Sequence, residues 1–472
     1  MKEVRVDAVE LLRLERILSP ERAGTLRRYQ VATEEALRGR VVWNVNATAT
    51  GGGVAEMLQT ILAYGRGAGV DTRWLVLDGD PAFFTATKRL HNFLHGSPGD
   101  GGQLDDQVRE HYVAVLDRNL ADLRARVRPG DIVLLHDPQT AGLVAGLRDT
   151  GARVVWRCHV GRDDPHPLHD AAWEFLRPFL EPADGFVFSR RAYAPAWVPP
   201  ERLWIVPPSL DPFSAKNAEL SDPDVAAVLR TAGLVAAHAD GGSLDFRRRD
   251  GQTGRVRPRE SLMVDGDPVP GGARLVLQVS RWDRLKDMGG VLRGFVDNLA
   301  RMPEDAHLVL AGPDVLGVTD DPEGAEVLEE CRSLRRSLTH DARSRVHLTA
   351  LPMDDIDENA HLVNALQRYA SVVVQKSLRE GFGLTVTEPM WKYRAVVASA
   401  VGGILDQIDD GVSGVLLADP ADLDACAREV ARLLGDPQRA HRLGVAAHER
   451  VQDRFLGDRH LVQYAEIFAT LL

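Results

Sequence analysis

Short apolar runs alternate with amphipathic helical stretches along almost the whole chain. Val41–Val45, Trp74–Leu77, Asp131–Leu135, Arg153–Trp156, Gly185–Phe188 and Leu203–Val206 are nearly continuous in apolar residues. Such runs suit strands covered on both faces, whereas a half-exposed strand would alternate apolar and polar positions. A helix is expected from about Val54, between the first two runs. The pattern restarts at Leu275–Val279 and continues through His307–Leu310, Arg345–Leu348, Ser371–Gln375, Ala395–Val397 and Gly414–Leu417. Strands alternating with helices imply parallel, doubly wound α/β sheets. Two such series in 472 residues predict two Rossmann-like domains, over 1–210 and 273–455. A Pro/Gly/Arg-rich linker or insertion, 211–272, separates them. The last stretch, 456–472, places Leu461, Tyr464, Phe468 and Leu471 on one helical face, which predicts packing back onto the first domain.

Apolar content of 44% and charged content of 26% describe an ordinary globular chain. The formal charge of −11 argues against a general nucleic-acid binder. Phe246–Arg259 carries six arginines. A phosphate or nucleic-acid contact is one reading of them, and a solvated hairpin between acidic, turn-rich flanks is the preferred one. Cys158, Cys331 and Cys426 are too far apart for a metal-ligand spacing and fit a reduced compartment. The N-terminus lacks an apolar signal core, and no uncharged run approaches the roughly 20 residues that span a bilayer. The expected location is the cytoplasm, with no membrane partner.

In doubly wound sheets, ligands bind beyond the carboxyl ends of the strands. Three unusual groups of residues sit there. Asn46–Glu56 contains Gly51, Gly52 and Gly53 between a strand and a helix, so the backbone can approach a ligand closely. A tight turn without ligand explains those glycines equally well. Ser280–Lys286 places Arg281 and Lys286 five apart at a loop-to-helix transition, a fork and a point charge suited to a diphosphate. Each cation about 4 Å from an anion contributes roughly 4 kcal/mol at an effective dielectric near 20. The bland alternative is a solvated basic loop.

The third group is Glu380–Glu388. Gly381, Phe382, Gly383, Leu384 and Thr385 form a glycine turn at a helix start that offers N–H groups to phosphate and sugar oxygens. Glu380 can take sugar hydroxyls and Glu388 a pair of ribose hydroxyls; a surface helix position is the alternative for Glu388. His159 ends the strand from Arg153 and is as readily a core histidine as a catalytic one. His136, Asp137 and Gln139 end another strand and suit a polyol, while His91 and His95 lie in a helical run. No Ser/His/Asp set with a glycine elbow and no metal cluster stands out.

Arg281 with Lys286, followed by Glu380 and Glu388 in Glu-x7-Glu spacing, resembles the retaining glycosyltransferases of family four. Trp43–Asn46, Gly51–Glu56, Gly79–Asp80, Thr87–Lys88, His91–Asn92, Trp156–His159, Pro207–Ser209, Gln278–Arg281 and Met390–Lys392 are similar to the trehalose glycosyltransferring branch of that family. The resemblance runs from about residue 40 to the C-terminus. It implies a GT-B fold, with two Rossmann-like domains facing across a cleft and closing over the substrates. It implies transfer of glucose from an NDP-glucose to free glucose, giving α,α-trehalose and NDP. No cofactor is implied, since the NDP-glucose is a substrate, and magnesium would stimulate without being obligatory. The implied assembly is a homodimer.

The resemblance also implies roles. Arg281 and Lys286 would hold the diphosphate, approached by Gly52 and Gly53. Glu388 would bind ribose, Glu380 with Gly381–Gly383 the donor glucose, and His159 that glucose near its reacting carbon. Asp80, Asp137 and Gln139 would face the acceptor. The chain departs from the pattern at Val160–Asp164, at Pro389 after Glu388, and in the length of the arginine-rich insertion. The alternatives are a trehalose phosphorylase, a GT-B sugar-nucleotide epimerase and a non-catalytic sugar-binding protein.

Overall fold

The computed structural model describes residues 1–49, 53–236, 241–315 and 322–472. The chain divides into two units, Met1–Leu210 with Phe455–Leu472, and Asp211–Arg454. The first holds a seven-stranded sheet in the spatial order Lys2–Val4, Thr72–Val76, Val42–Asn46, Ile132–His136, Arg153–Cys158, Gly185–Phe188, Leu203–Ile205. Lys2–Val4 pairs antiparallel at the edge, and every other pairing is parallel. That polar edge strand has no apolar run and escapes a hydrophobicity reading. The winding direction reverses between Val42–Asn46 and Ile132–His136. Both strands are buried along their full length, which explains why their sequences do not alternate.

The C-terminal helix Gly457–Leu471 belongs to the first unit. Its Tyr464, Ile467 and Phe468 pack against Val42, Ile132, Leu134, Val155, Val187 and Val206 of the sheet. Burying each such side chain contributes about 1.5–3 kcal/mol, enough to hold the returning segment.

The second unit repeats the architecture with a different winding. Its sheet runs Met263–Asp265, Val346–Leu351, Ala306–Pro313, Arg274–Val279, Val372–Gln375, Ala395–Ser399, Val415–Leu417. Met263–Asp265 is antiparallel and the rest are parallel. Here the reversal falls between Arg274–Val279 and Val372–Gln375, one strand begun at residue 274 and its neighbour nearly a hundred residues later.

Residues 211–272 are part of this second unit rather than a free linker. They supply the helix Asp222–Thr231, the hairpin of Asp245–Arg247 with Thr253–Arg255, and the edge strand Met263–Asp265. Arg247 and Arg255 are exposed, as a solvated hairpin predicts, but Arg248, Arg249, Arg257 and Arg259 pair with acidic residues outside it, which corrects that reading for these four. Arg248 pairs with Asp355, Arg249 Nε lies 2.9 Å from Asp357, and Arg257 bonds Asp354 at 2.7 Å and also Glu358. Asp357 and Glu358 open the helix Ile356–Tyr369, capped by Asp355. Acidic groups there favour the helix dipole, and the arginines neutralise their mutual repulsion. Among the described residues no helix is long and apolar enough to cross a membrane.

Candidate functional site

In an open α/β sheet the crevice for a ligand lies outside the strand ends, where the winding reverses. In the second unit the two strands flanking that point lead into the Arg281–Lys286 loop and the Lys376–Gly383 loop. Asp283 Oδ1 accepts the Leu285 N–H at 2.8 Å and caps the single 3₁₀ turn Arg284–Lys286. Asp287, at φ 46°, caps the following helix Met288–Asp297. Lys286 Nζ then donates to Glu380 Oε2 at 2.7 Å, and Ser377 Oγ donates to the same oxygen at 3.1 Å. The cation expected for a diphosphate and the acid expected for a sugar therefore meet as one ion pair. Both side chains are largely buried, at 15% and 10% exposure, so the attraction is only weakly screened.

A second ion pair, which the sequence does not announce, joins the same two loops. Lys376 is fully buried and its Nζ bonds Asp287, the residue after Lys286. The Leu378 N–H also donates to Leu285 O at 2.7 Å, and Gln278 Nε2 donates to Lys286 O at 2.8 Å. These bonds fix one loop against the other. A lysine directly after a buried strand was the available signal, but its partner is 89 positions away.

Gly383 has φ 85° and opens the helix Leu384–Trp391; no side chain caps that helix. A Cβ at Gly383 would stand 2.9 Å from Glu380 Cγ, and one at Gly403 would stand 2.6 Å from Phe382 Cα. Gly383 is thus required by φ as well as by the tightness of the turn, and Gly403 by close approach alone. Gly403 N–H donates to Gly381 O at 2.9 Å, and Gln407 Nε2 donates to Phe382 O while its Oε1 accepts from Thr387 Oγ1 at 2.7 Å. Glu388 is 5% exposed, so it is not a surface residue. Gln367 Nε2 donates to its Oε2 at 3.3 Å, and Lys216 Nζ lies 3.5 Å from Oε1. Pro389 stays within the helix rather than displacing its start. Arg281, half-exposed, lies 3.2 Å from Asp283. The next residue, Trp282, donates its Nε1–H to Pro313 O at 3.0 Å, at the end of the strand Ala306–Pro313 that pairs with Val346–Leu351.

In the first unit the reversal brings together Asn46, His136 and the residues after them. Gly51 and Gly52 lie outside the described residues; Gly53 begins the helix Gly53–Gly67. Asp137 adopts φ 64° and ψ 176°, a conformation costly for any residue with a Cβ. Its Oδ1 accepts the His159 N–H at 2.8 Å, and burial pushes its carboxyl up to about 7. His136 Nδ1 lies 3.2 Å from His159 Nε2, and His136 Nε2 lies 3.1 Å from Asn44 Oδ1. Burial, then the Arg157 charge, takes His136 down to about 3 and His159 well below the usual histidine range. Arg157 is itself fully buried, bonded to Tyr464, to His460 at 3.0 Å and to Val206 O at 3.2 Å. Gln139 lies part-buried in the turn Pro138–Leu143. Asp80 stands apart in role: it caps the helix Pro81–Leu94 and bonds His111 at 2.8 Å. Among the described residues no three His, Cys, Asp or Glu side chains converge as a metal site.

Residues 44–195 match the family described as trehalose synthase, N-terminal domain, and residues 265–450 match glycosyl transferases group 1. The chain is 33% identical to the trehalose synthase of Thermococcus litoralis over 437 residues, covering 92% of each protein. It is 34% identical to that of Pyrococcus horikoshii over 443 residues, covering 93% of this chain and 91% of the relative. Among solved structures, an α,α-trehalose-phosphate synthase (UDP-forming) from Burkholderia vietnamiensis matches with TM-score 0.64 and 17% identity, over 91% of this chain and 98% of that one. The fold is that of the GT-B glycosyltransferases.

Proposed function

The chain belongs to the trehalose synthase family of glycosyltransferases, and on that premise we propose that it joins glucose from an NDP-glucose to free glucose, with retention, giving α,α-trehalose and NDP. The observation that carries this reading is the Lys286–Glu380 pair at the winding reversal of the second unit. A diphosphate there draws Lys286 away from Glu380, and the released carboxylate oxygen accepts a hydroxyl of the donor glucose. Arg281 and the uncapped N-terminus at Leu384–Thr385 share the phosphate charge. Glu388, held by Gln367, accepts the ribose hydroxyls.

The bond from the sugar C1 to the phosphate oxygen lengthens, and its charge is stabilised on the diphosphate by these groups. The acceptor hydroxyl attacks C1 on the face that the diphosphate leaves. Its proton passes to the leaving phosphate oxygen, so the products are the disaccharide and NDP. His159 contacts the donor glucose, while Asp137 and Gln139 serve the acceptor; the strained backbone of Asp137 supports a functional demand at that position. Asp80 is committed to its helix cap and contributes less.

Incubation with each NDP-glucose and glucose should yield a non-reducing disaccharide and one NDP for each disaccharide. No acceptor-dependent NDP release with any donor overturns the reading. Turnover of trehalose that requires inorganic phosphate and releases glucose 1-phosphate makes the protein a phosphorylase instead. Activity should persist in EDTA and rise with magnesium. Light scattering checks the remaining proposed partner, a second copy of the chain.

A further inference from the structure

Three neighbouring strands of the first unit, with Asn44 inside one, His136 at the end of the next and His159 just past the third, place these side chains in one hydrogen-bonded line. Asn44 Oδ1 lies 3.1 Å from His136 Nε2. An amide oxygen only accepts, so the proton of His136 sits on Nε2. His136 is 1% exposed and stays neutral, which leaves its Nδ1 as a lone pair. That nitrogen lies 3.2 Å from His159 Nε2, so His159 donates there. The two rings stack with planes 11° apart, consistent with one fixed pose. Desolvation and the buried Arg157 guanidinium oppose a second proton on His159. Among the described residues nothing hydrogen-bonds its Nδ1.

We propose that Asn44 and His136 are positioning residues that hold His159 in the Nε2-protonated tautomer, so that its Nδ1 is purely an acceptor for a hydroxyl of the donor sugar. The sugar part of this rests on the placement of His159 at the donor glucose. With the Asn44 amide in this orientation donation runs from His159 to His136 to Asn44; the reverse order would need that amide turned so that Nδ2 faces His136. With Nδ1 protonated, His159 would instead donate to a sugar oxygen, and a hydroxyl replaced by fluorine would be tolerated. The device therefore selects a sugar that offers an O–H at this point.

The tautomer is read without activity, by long-range nitrogen–proton spectra of the full chain labelled with ¹⁵N-histidine, the His159 signals assigned by their loss in H159N. The expected spectrum shows a protonated Nε2 and an unprotonated Nδ1; a protonated Nδ1 overturns the proposal. In H136Q the amide can accept from His159 and donate to Asn44, so the pattern should survive and kcat/KM stay within about threefold. In H136L the Nε2 proton loses its acceptor, and kcat/KM should fall about tenfold or more. Equal activities of the two variants overturn the relay. Donors with single deoxy or fluoro replacements test the sugar: one position should lose about tenfold or more with either replacement, and H136L should shrink that discrimination. If fluorine substitutes for hydroxyl at every position while the Nε2 tautomer is confirmed, the placement of His159 at the donor sugar is overturned and the tautomer device stands alone.

Discussion

The two units carry the same kind of sheet but build their strand ends from opposite chemistry. At the reversal in the second unit stand ionised groups in pairs, Lys286 with Glu380 and Lys376 with Asp287. At the reversal in the first stand neutral rings and amides, Asn44, His136 and His159, beside a carboxyl that burial pushes up to about 7. The contrast follows from the proposed ligands. A diphosphate rewards cations held ready, and pairing them with carboxylates offsets their desolvation until the phosphate arrives. A sugar carries no charge, and unpaired buried charges beside it would be expensive; fixed neutral donors and acceptors discriminate its hydroxyls instead. The same fold thus supplies an electrostatic end and a hydrogen-bonding end.

The harshest test of the charged end is Lys286→Ala. It should lower kcat/KM about 10³-fold, roughly 4 kcal/mol of phosphate stabilisation, in a chain that still folds cooperatively. Near-normal NDP release would break the comparison at once. Lys376→Met comes next: it leaves the largely covered Asp287 carboxylate without its cation, with the Gly290 N–H still donating to it. Loss of one partner of such a pair costs about 3 kcal/mol, so the thermal transition should drop by roughly 10 °C for a unit of this size. An unchanged transition would show that this second pair holds nothing.

Asp137→Asn probes the neutral end through pH. The Asp137 carboxyl titrates at about 7 in the folded chain, above its ordinary range. Between about pH 4 and 7 the folded state therefore binds more protons than the unfolded state, and stability falls as pH rises. The stability of Asp137→Asn relative to the natural protein should be level below pH 4 and grow by on the order of 4 kcal/mol to a plateau above pH 7. A difference independent of pH in chemical denaturation would contradict the neutral character of that site. The smallest effect belongs to Arg255→Ala, which breaks the exposed pair with Asp245. It should cost about 0.5 kcal/mol or less, sharpening the point that burial, not charge alone, gives the Lys376–Asp287 pair its weight.

Much of this was legible in the chain. The buried parallel strands reveal themselves as unbroken apolar runs, because both of their faces lie under helices. The Glu380–Glu388 turn is readable from its glycines and spacing, and the return of the last helix from Tyr464 and Phe468. The edge strands Lys2–Val4 and Met263–Asp265 were not legible, since an edge needs only one partner and little apolar surface. Nor was the docking of the arginine-rich hairpin on Asp354–Glu358, because pairing of charges leaves no periodicity behind.

The fold class, the two series of strands, and the residue types that wait at their carboxyl ends follow from the chain's local pattern alone. Local patterning suffices for these, since burial of a strand or a helix face is written in consecutive residues. The order of strands within each sheet was decided only in three dimensions. That order sets Lys286 beside Glu380, Lys376 against Asp287, and Asn44 beside His136 and so in line with His159. Each of these contacts spans a crossover of the chain, and strand order depends on how whole helices pack across a sheet, which no stretch of neighbouring residues encodes.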